Sequence, residues 1–205
     1  MSKGPSMPPA TAKEKLINGN RRYAENNLTS PERLGSSRRQ ELLGGQSPYA
    51  AVLTCADSRV PPEHVFDAAL GEVFTCRNAG NLIDEATLGS IEYAVAHTGC
   101  PLVCIMGHNK CGAVGAAVAA AKDPSLHESP NIDDIVRRLL PAVIATKKEG
   151  QSDAEWTDAA AKQNVKDACA HVLQRSSIIK SKVEAGDCEV LGAWYDLDSG
   201  KVDFF

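Results

Sequence analysis

Residues 49–59 have the sequence YAAVLTCADSR, in which a short apolar run leads directly into a polar loop. A brief apolar run bounded by turn residues is typical of a strand that is buried on both faces of a sheet. The same pattern recurs three times, at 72–76 (EVFTC), 102–106 (LVCIM) and 189–194 (EVLGAW). Helical patterns separate these runs, notably at 85–97 and 112–121. This alternation predicts an α/β fold with a central, mainly parallel β-sheet flanked by α-helices.

The second half of the chain adds helices to the same domain. Apolar residues at helical spacing predict one helix across 132–144, which Pro141 should kink or split, and another across 165–173. No internal repeat or low-complexity linker interrupts the pattern. We therefore expect residues 1–205 to form a single domain.

The N-terminal region has a different character. We expect residues 1–11, which are rich in Pro and Ser, to be disordered, and residues 12–44 to form two polar helices. The second helix should begin at Ser30-Pro31-Glu32, because Ser is a good cap and Pro suits the first helical position. These helices have only a thin apolar stripe, so we expect them to pack on a partner subunit.

Composition limits the possible functions. The formal net charge of −4 leaves no basic face for phosphates, which argues against a nucleic-acid partner. No apolar run reaches the roughly 18–20 residues that a membrane helix needs, and the start of the chain lacks a secretory pattern. Seven cysteines, an odd number without a compact framework, fit a reducing compartment. We expect a cytoplasmic protein, with organellar targeting and processing at the N-terminus left open.

Two loops carry the residues that can do chemistry. Cys55 begins one of them, directly after the first apolar run, and His108 and Cys111 lie in the second, GHNKCG at 107–112. Both loops follow predicted parallel strands, and open α/β sheets build their sites at the carboxyl ends of such strands. Two thiolates and one imidazole are a zinc-type ligand set that leaves a fourth position for water. We therefore predict that Cys55, His108 and Cys111 bind Zn²⁺.

Asp57 and Arg59 complete this site as candidate catalytic residues. Asp57 is two residues from a predicted ligand, where its carboxylate can accept a hydrogen bond from water at the metal. Arg59 can hold that carboxylate with two parallel hydrogen bonds, which keeps it ionised and fixed in direction. The plainer alternative is that the two residues form an ordinary surface ion pair.

Other candidate residues have simpler explanations. Most buried cysteines are structural, and we assign that role to the five outside the two loops, Cys76, Cys100, Cys104, Cys169 and Cys188. The remaining histidines have no Cys or acidic neighbour at ligand spacing, so we expect no metal role for His64, His97, His127 and His171. The Gly112-Ala-Val-Gly115 turn is a weak phosphate-binding signal, because it lacks the other glycines and the Lys of such loops.

In these motifs the chain resembles the β-carbonic anhydrases. The resemblance rests on Cys55-Ala-Asp57-Ser-Arg59 and Gly107-His108-x-x-Cys111-Gly112, and it continues through Gly71-Glu72-x-Phe74, Arg77-Asn78-x-x-Asn81-Leu82 and Ile91-Glu92-Tyr93-Ala94. It implies a zinc enzyme that hydrates carbon dioxide reversibly to bicarbonate and a proton. It further implies a homodimer, or a multiple of dimers, with the substrate pocket at the subunit interface. The substrate-binding residues would be Gln46, Phe74 and Tyr93, beside Asp57 and Gly112 of the other subunit.

The resemblance also bears on regulation and pocket shape. Some members of the family close the site at low pH, when the aspartate binds zinc and bicarbonate occupies a pocket that includes a tryptophan. Val52 stands at the position of that tryptophan, although the pocket arginine is present as Arg77. The resemblance therefore implies an open site in which Asp57 stays paired with Arg59. Ala79-Gly80 departs from the usual family pattern, so the size of the pocket there is not implied.

Two alternative functions stay open on the sequence alone. The same scaffold can hydrolyse carbon disulfide or carbonyl sulfide, which the motifs do not separate from carbon dioxide hydration. A non-enzymatic zinc or thiol sensor is the other alternative. The Asp57–Arg59 pair argues against the sensor, because a purely structural zinc site is usually closed by a fourth protein ligand.

Overall fold

The computed structural model describes residues 4–29 and 33–205. Its centre is a five-stranded sheet with the order β2-β1-β3-β4-β5. The strands are β1 (Ala50–Cys55), β2 (Val73–Asn78), β3 (Leu102–His108), β4 (Glu189–Tyr195) and β5 (Val202–Phe204). The first four strands are parallel, and β5 is antiparallel to β4. The predicted α/β class with a mainly parallel sheet is confirmed.

Eight α-helices surround the sheet in the described residues. They are α1 (Pro9–Ala24), α2 (Ser36–Glu41), α3 (Pro62–Val65), α4 (Glu85–Tyr93), α5 (Gly112–Lys122), α6 (Pro130–Thr146), α7 (Asp153–Arg175) and α8 (Ser177–Glu184). A 3₁₀ turn, Leu42–Gly44, follows α2, and a π-helical turn, Ala94–Thr98, follows α4. None of these described helices is both long enough and apolar enough to cross a membrane.

The central strands explain the apolar runs in the sequence. Every residue of β1 and of β3 is buried, because helices cover both faces of the sheet. Alternate side chains of β1 enter two separate core clusters, Ala50 and Val52 in one and Ala51 and Leu53 in the other. Since β1 and β3 are neighbours in the sheet, their carboxyl ends bring the two predicted ligand loops together.

The N-terminal helix differs from our expectation. It begins at Pro9, so the prediction of disorder was wrong for residues 9–11. Ala12 and Leu16 lie four residues apart on one face of α1 and are fully buried in the core of the same chain. This packing explains why the helix is ordered from its first turn. The expectation that the helices of residues 12–44 pack on a partner subunit stays a prediction.

Other differences concern element ends. The expected helix start at Ser30-Pro31-Glu32 lies outside the described residues, and α2 begins at Ser36. Helix α6 continues through Pro141, so of the predicted kink or split the split was wrong, and the kink stays a prediction. Leu139, Ala142 and Val143 of α6 are buried on either side of this proline, and their packing holds the helix together. The short strand β5 was not predicted.

Candidate metal centre

The structure brings Cys55, His108 and Cys111 together. Cys55 is the last residue of β1, His108 is the last residue of β3, and Cys111 is the N-cap of α5. One potential ligand atom from each lies within 4.8 Å of the others, and all three residues are buried. The two sulfur atoms are 4.0 Å apart. Within residues 4–29 and 33–205, this is the only group of three or more His, Cys, Asp or Glu residues that could hold a metal ion.

The donor atoms fit a zinc ion. His108 Nδ1 donates a hydrogen bond to the Asn109 carbonyl oxygen at 2.8 Å, which leaves Nε2 with its lone pair available. Nε2 is buried and has no hydrogen-bond partner in the described part of the chain. A buried polar atom without a partner is costly, and coordination to a metal would remove that cost. Two sulfurs and one imidazole nitrogen around an open position are a catalytic zinc set.

The two candidate thiols influence each other strongly. The Cys111 thiol donates to the Cys55 sulfur, which lowers the pKa of Cys55 to about 4 and raises that of Cys111. One proton is thus held between the two sulfurs, and a zinc dication would stand in its place with both cysteines as thiolates. Burial raises the pKa of all five cysteines outside the two loops, as expected for structural thiols.

Asp57 and Arg59 form the geometry that the sequence predicted. Arg59 Nε donates to Asp57 Oδ1 at 2.9 Å and an Nη atom donates to Oδ2 at 2.7 Å. The backbone N–H of Arg59 also donates to Oδ1 at 2.9 Å. The carboxylate is 17% exposed, and these donors hold the pKa of Asp57 well below its usual range. Asp57 is therefore ionised and fixed in direction at the rim of the ligand cluster.

Arg77 has a role that the sequence analysis did not identify. From β2 it donates to two backbone carbonyl oxygens of the first loop, to Cys55 through Nε at 3.0 Å and to Asp57 through Nη2 at 2.5 Å. Val52, at the position of the family's tryptophan, is fully buried in β1. Arg77 thus braces the loop that carries both a ligand and the carboxylate. Only the three-dimensional pairing of β1 with β2 reveals this contact.

Asn109 fixes the second loop and was also missed. Its side chain donates to Asp196 Oδ2 at 3.1 Å and accepts from the backbone N–H of Leu197 at 2.8 Å. The Asn109 N–H donates to the Tyr195 carbonyl oxygen at 3.3 Å. Because Asn109 is buried and its own carbonyl accepts from His108, these bonds hold the imidazole ligand in place. In the sequence, Asn109 stands out only because it lies between two predicted ligands. That position does not indicate which residues its side chain bonds to.

The predicted substrate-binding residues are more dispersed. Phe74 and Tyr93 form an aromatic pair with ring centroids 6.3 Å apart. Gln46 is exposed in the loop before β1, and Gly112 is exposed at the first position of α5. Among the described residues, no hydrogen bond or ring contact joins Gln46, Phe74 or Tyr93 to the ligand cluster. Their roles stay predictions.

Comparison with known proteins identifies the family. The sequence profile described as "Carbonic anhydrase" matches residues 50–202. The chain is 38% identical to carbonic anhydrase 2 of Mycobacterium tuberculosis, over 96% of this chain and 93% of that protein. It is 37% identical to a carbonic anhydrase of Mycolicibacterium smegmatis, over 97% and 94%. The crystal structure of the β-carbonic anhydrase CafA of Aspergillus fumigatus superposes with a TM-score of 0.73 at 28% identity, covering 96% of this chain and 88% of that one.

The chain therefore belongs to the β-carbonic anhydrase family. Three expectations from the sequence are confirmed with it: the protein is an enzyme, its cofactor is zinc, and its reaction interconverts carbon dioxide and bicarbonate.

Proposed function

We propose that this enzyme hydrates carbon dioxide at a zinc ion held by Cys55, His108 and Cys111. The observation that carries the assignment is the buried cluster in which the three ligand atoms lie within 4.8 Å of one another. The partnerless Nε2 of His108 supports it, since a metal would use that lone pair. When bound, zinc supplies Lewis-acid chemistry that makes water a competent nucleophile near neutral pH.

Asp57 supplies the oriented acceptor in this proposal. Its carboxylate is ionised and held in one direction by three donors from Arg59, so it can accept a hydrogen bond from an O–H of the attacking water. This contact would aim the water's lone pair at the carbon atom of the substrate. Arg59 would act through Asp57 and would not itself touch the reacting atoms.

The substrate side of the pocket is assigned to Gly112, Gln46, Phe74 and Tyr93. The backbone N–H of the exposed Gly112, at the start of α5, can donate to an oxygen atom of carbon dioxide or bicarbonate. The Gln46 amide would donate to the same substrate. The Phe74–Tyr93 pair would provide an apolar wall for a non-polar gas. In this proposal Gln46, Phe74 and Tyr93 reach the site of the other subunit.

The test combines metal content with turnover on the purified protein. We expect one zinc per chain and rapid hydration of carbon dioxide in a stopped-flow assay with a pH indicator. Carbonyl sulfide and carbon disulfide should be turned over far more slowly. Preferential hydrolysis of either would assign the scaffold to that substrate instead. Stoichiometric zinc without activity on any of the three would favour a sensor.

We further propose that the working unit is a homodimer or a multiple of dimers. The strand β2 lies at an edge of the sheet, and edge strands need a cover or a partner. Leu28, Leu34 and Leu70 are exposed and lie around one cleft with Val73 of this strand, and Leu43, in the turn after α2, is also exposed. A cleft of about 680 Å³ extends from Leu28 and Leu34 to Arg59, so a partner bound there would adjoin the first ligand loop.

Light scattering on matched variants tests the assembly. Leu43 is 78% exposed, and Leu43→Glu should lower the mass in solution toward that of one chain. Ile144 in α6 is 67% exposed, and Ile144→Glu is the control that should leave the mass unchanged. An unchanged mass for both variants would contradict packing of the N-terminal helices on a partner.

We place the enzyme in the cytoplasm because zinc thiolates need a reducing environment, and cell fractionation checks this.

A further inference from the structure

Helix α7 touches the end of β3, which leads into the second ligand loop, and the turn after β2 that lies against Cys55, and it does so through two adjacent residues. The methyl groups of Val165 pack against Gly107, directly before His108, where an added Cβ would lie 2.6 Å from Val165 Cγ2. Asn164 Nδ2 donates a hydrogen bond to the Gly80 carbonyl oxygen at 2.9 Å. Gly80 in turn lies against Cys55, since its N–H is 3.5 Å from the Cys55 sulfur.

Gly80 is held in an unusual backbone conformation. Its φ of +76° is in the left-handed region, which favours glycine. A Cβ at this position would lie 3.1 Å from Leu139 Cδ1, so Leu139 closes one side of the residue. The hydrogen bond from Asn164 fixes the carbonyl group of Gly80 itself. Contacts from α6 and α7 thus restrain the backbone around the Gly80 Cα, and through its φ of +76° they limit the direction in which the Gly80 N–H can point.

The position of Asn164 in its helix is informative. Helix α7 buries a face that repeats every four residues, with Trp156, Ala160, Asn164, Ala168 and Val172. Asn164 is the polar member of this set, although Asn is a weak helix former and its buried amide needs hydrogen bonds. A small apolar residue would pack on this face at lower cost. The hydrogen bond that the amide donates to the Gly80 carbonyl oxygen therefore explains why Asn occupies this position.

We infer that Asn164 is a positioning residue that orients the Gly80 N–H onto the Cys55 sulfur and so tunes how tightly Cys55 binds the metal. An N–H donor stabilises negative charge on a sulfur ligand, and contacts of this outer-shell kind typically change metal affinity by 10–100-fold when they are lost. The role rests on the proposed zinc site and adds a residue far along the sequence, 84 positions from Gly80.

The experiment uses the zinc-loaded enzyme and two substitutions of different shape. Asn164→Asp keeps the size of the side chain but removes the donor, and Asn164→Ser shortens it. We expect both to raise the zinc dissociation constant about tenfold, measured by competition with a chromophoric chelator. In the cobalt(II)-substituted protein, the sulfur-to-cobalt charge-transfer band should shift, because the electron density on the Cys55 sulfur changes.

Asn20 provides the matched control. It is also a buried helical asparagine, and its Nδ2 donates to the carbonyl oxygens of Val65 at 3.1 Å and Gly200 at 2.8 Å. Asn20→Asp and Asn20→Ser should lower the thermal midpoint much as the Asn164 variants do. They should leave the zinc dissociation constant and the cobalt spectrum unchanged, because Asn20 contacts neither ligand loop and reaches the β4–β5 turn only at its far end, at Gly200 and Val202.

The outcomes separate the two proposals. Parent-like zinc affinity and cobalt spectra in both Asn164 variants would overturn the positioning role and leave the zinc site intact. Equal losses of affinity in the Asn20 variants would also overturn it, since general destabilisation would then explain the effect. A parent protein that binds no stoichiometric zinc would overturn the proposed metal site itself.

Discussion

The two loops that carry the metal ligands are held in place by different kinds of contact. Residues 55–59 are braced by guanidinium groups, from Arg77 on the edge strand β2 and from Arg59 within the loop. Residues 107–112 are tied by the neutral side chain of buried Asn109 to the turn between β4 and β5. The first loop thus follows β1, next to the edge strand β2, and the second loop follows β3, the central strand of the sheet.

This difference suggests that the first loop mainly affects catalysis and the second loop mainly affects stability. The first loop carries the ionised carboxylate and is held by charged groups that solvent reaches, because Arg59 is 53% exposed. The second loop supplies two of the three ligands and is fixed by hydrogen bonds from the buried side chain of Asn109 to partly buried partners. We expect substitutions in the first loop to alter turnover more than stability. Substitutions that loosen the second loop should do the reverse.

The largest effect should come from removing a ligand in either loop. Cys55→Ser and Cys111→Ser should each abolish stoichiometric zinc binding and reduce hydration to background, because a neutral hydroxyl replaces a thiolate. Metal analysis by mass spectrometry and stopped-flow hydration measure the two effects. Both loops should behave alike here, since the site needs all three donors.

Cys104→Ser is the control for these variants. Cys104 is a fully buried cysteine of β3, and burial raises the pKa of its thiol. The variant should keep one zinc per chain. Retention of zinc by Cys55→Ser, or loss of zinc by Cys104→Ser, would show that the ligand set is assigned incorrectly.

Asp57→Asn should give the next largest effect, and it should be confined to turnover. The amide carries no charge and presents an N–H in place of one acceptor, so kcat/KM should fall by about 10²–10⁴-fold. Zinc content and the free energy of unfolding should change little, because the side chain lies at the rim of the site. Turnover equal to that of the parent would reduce the Asp57–Arg59 pair to an ordinary ion pair.

The sequence predicted the metal ligands but not the residues that hold the ligand loops in place, and the reason is physical. Cys55, His108 and Cys111 follow apolar runs whose length and alternation with helices indicate parallel strands, and parallel strands place their ends together. Arg77 and Asn109, in contrast, act on backbone groups that become neighbours only after the sheet forms. No local pattern encodes such a long-range pairing.

The fold shows the same limit at its margins. The ordered start of α1 depends on Leu16, which is buried among residues distant in sequence, whereas the composition of residues 1–11 suggests disorder. The three-residue strand β5 is too short for a periodic signal, and it forms because β4 offers it an edge. Pro141 is tolerated because α6 is packed on both sides of it.

Asn109→Ala tests the support of the second loop. It removes the three hydrogen bonds of the buried Asn109 side chain and leaves the Leu197 N–H and the Asp196 carboxylate without this partner. The free energy of unfolding of the holoenzyme should fall by about 1–3 kcal/mol, measured by urea denaturation. The value of kcat/KM for correctly folded, zinc-loaded protein should fall less than in Asp57→Asn. The opposite order of the two variants in turnover would contradict the division between the loops.

Arg77→Met tests the brace of the first loop and should have a smaller effect on stability. Arg77 is exposed, so its two bonds to backbone oxygens compete with water, and we expect a loss of about 1 kcal/mol in urea denaturation. Since the same bonds position Asp57, kcat/KM should nevertheless fall measurably. A stability loss larger than that of Asn109→Ala would show that the first loop is also a structural support.

The smallest effect should come from Lys110, which lies in the second loop between its two ligands. Its ammonium group pairs with Asp198 at 3.0 Å, but the two side chains are 61% and 71% exposed. Exposed pairs contribute little, so Lys110→Ala should lower the free energy of unfolding by less than about 1 kcal/mol and leave zinc affinity unchanged. Lys110 also has a φ of +56°, which glycine adopts without strain. The ion pair is lost in both variants, but in Lys110→Gly the relief of that strain should offset the greater freedom of the unfolded chain, so its stability should equal or exceed that of Lys110→Ala. A tenfold loss of zinc affinity in either variant would mean that charge at the surface, and not the hydrogen bonds of the buried Asn109, holds the second loop.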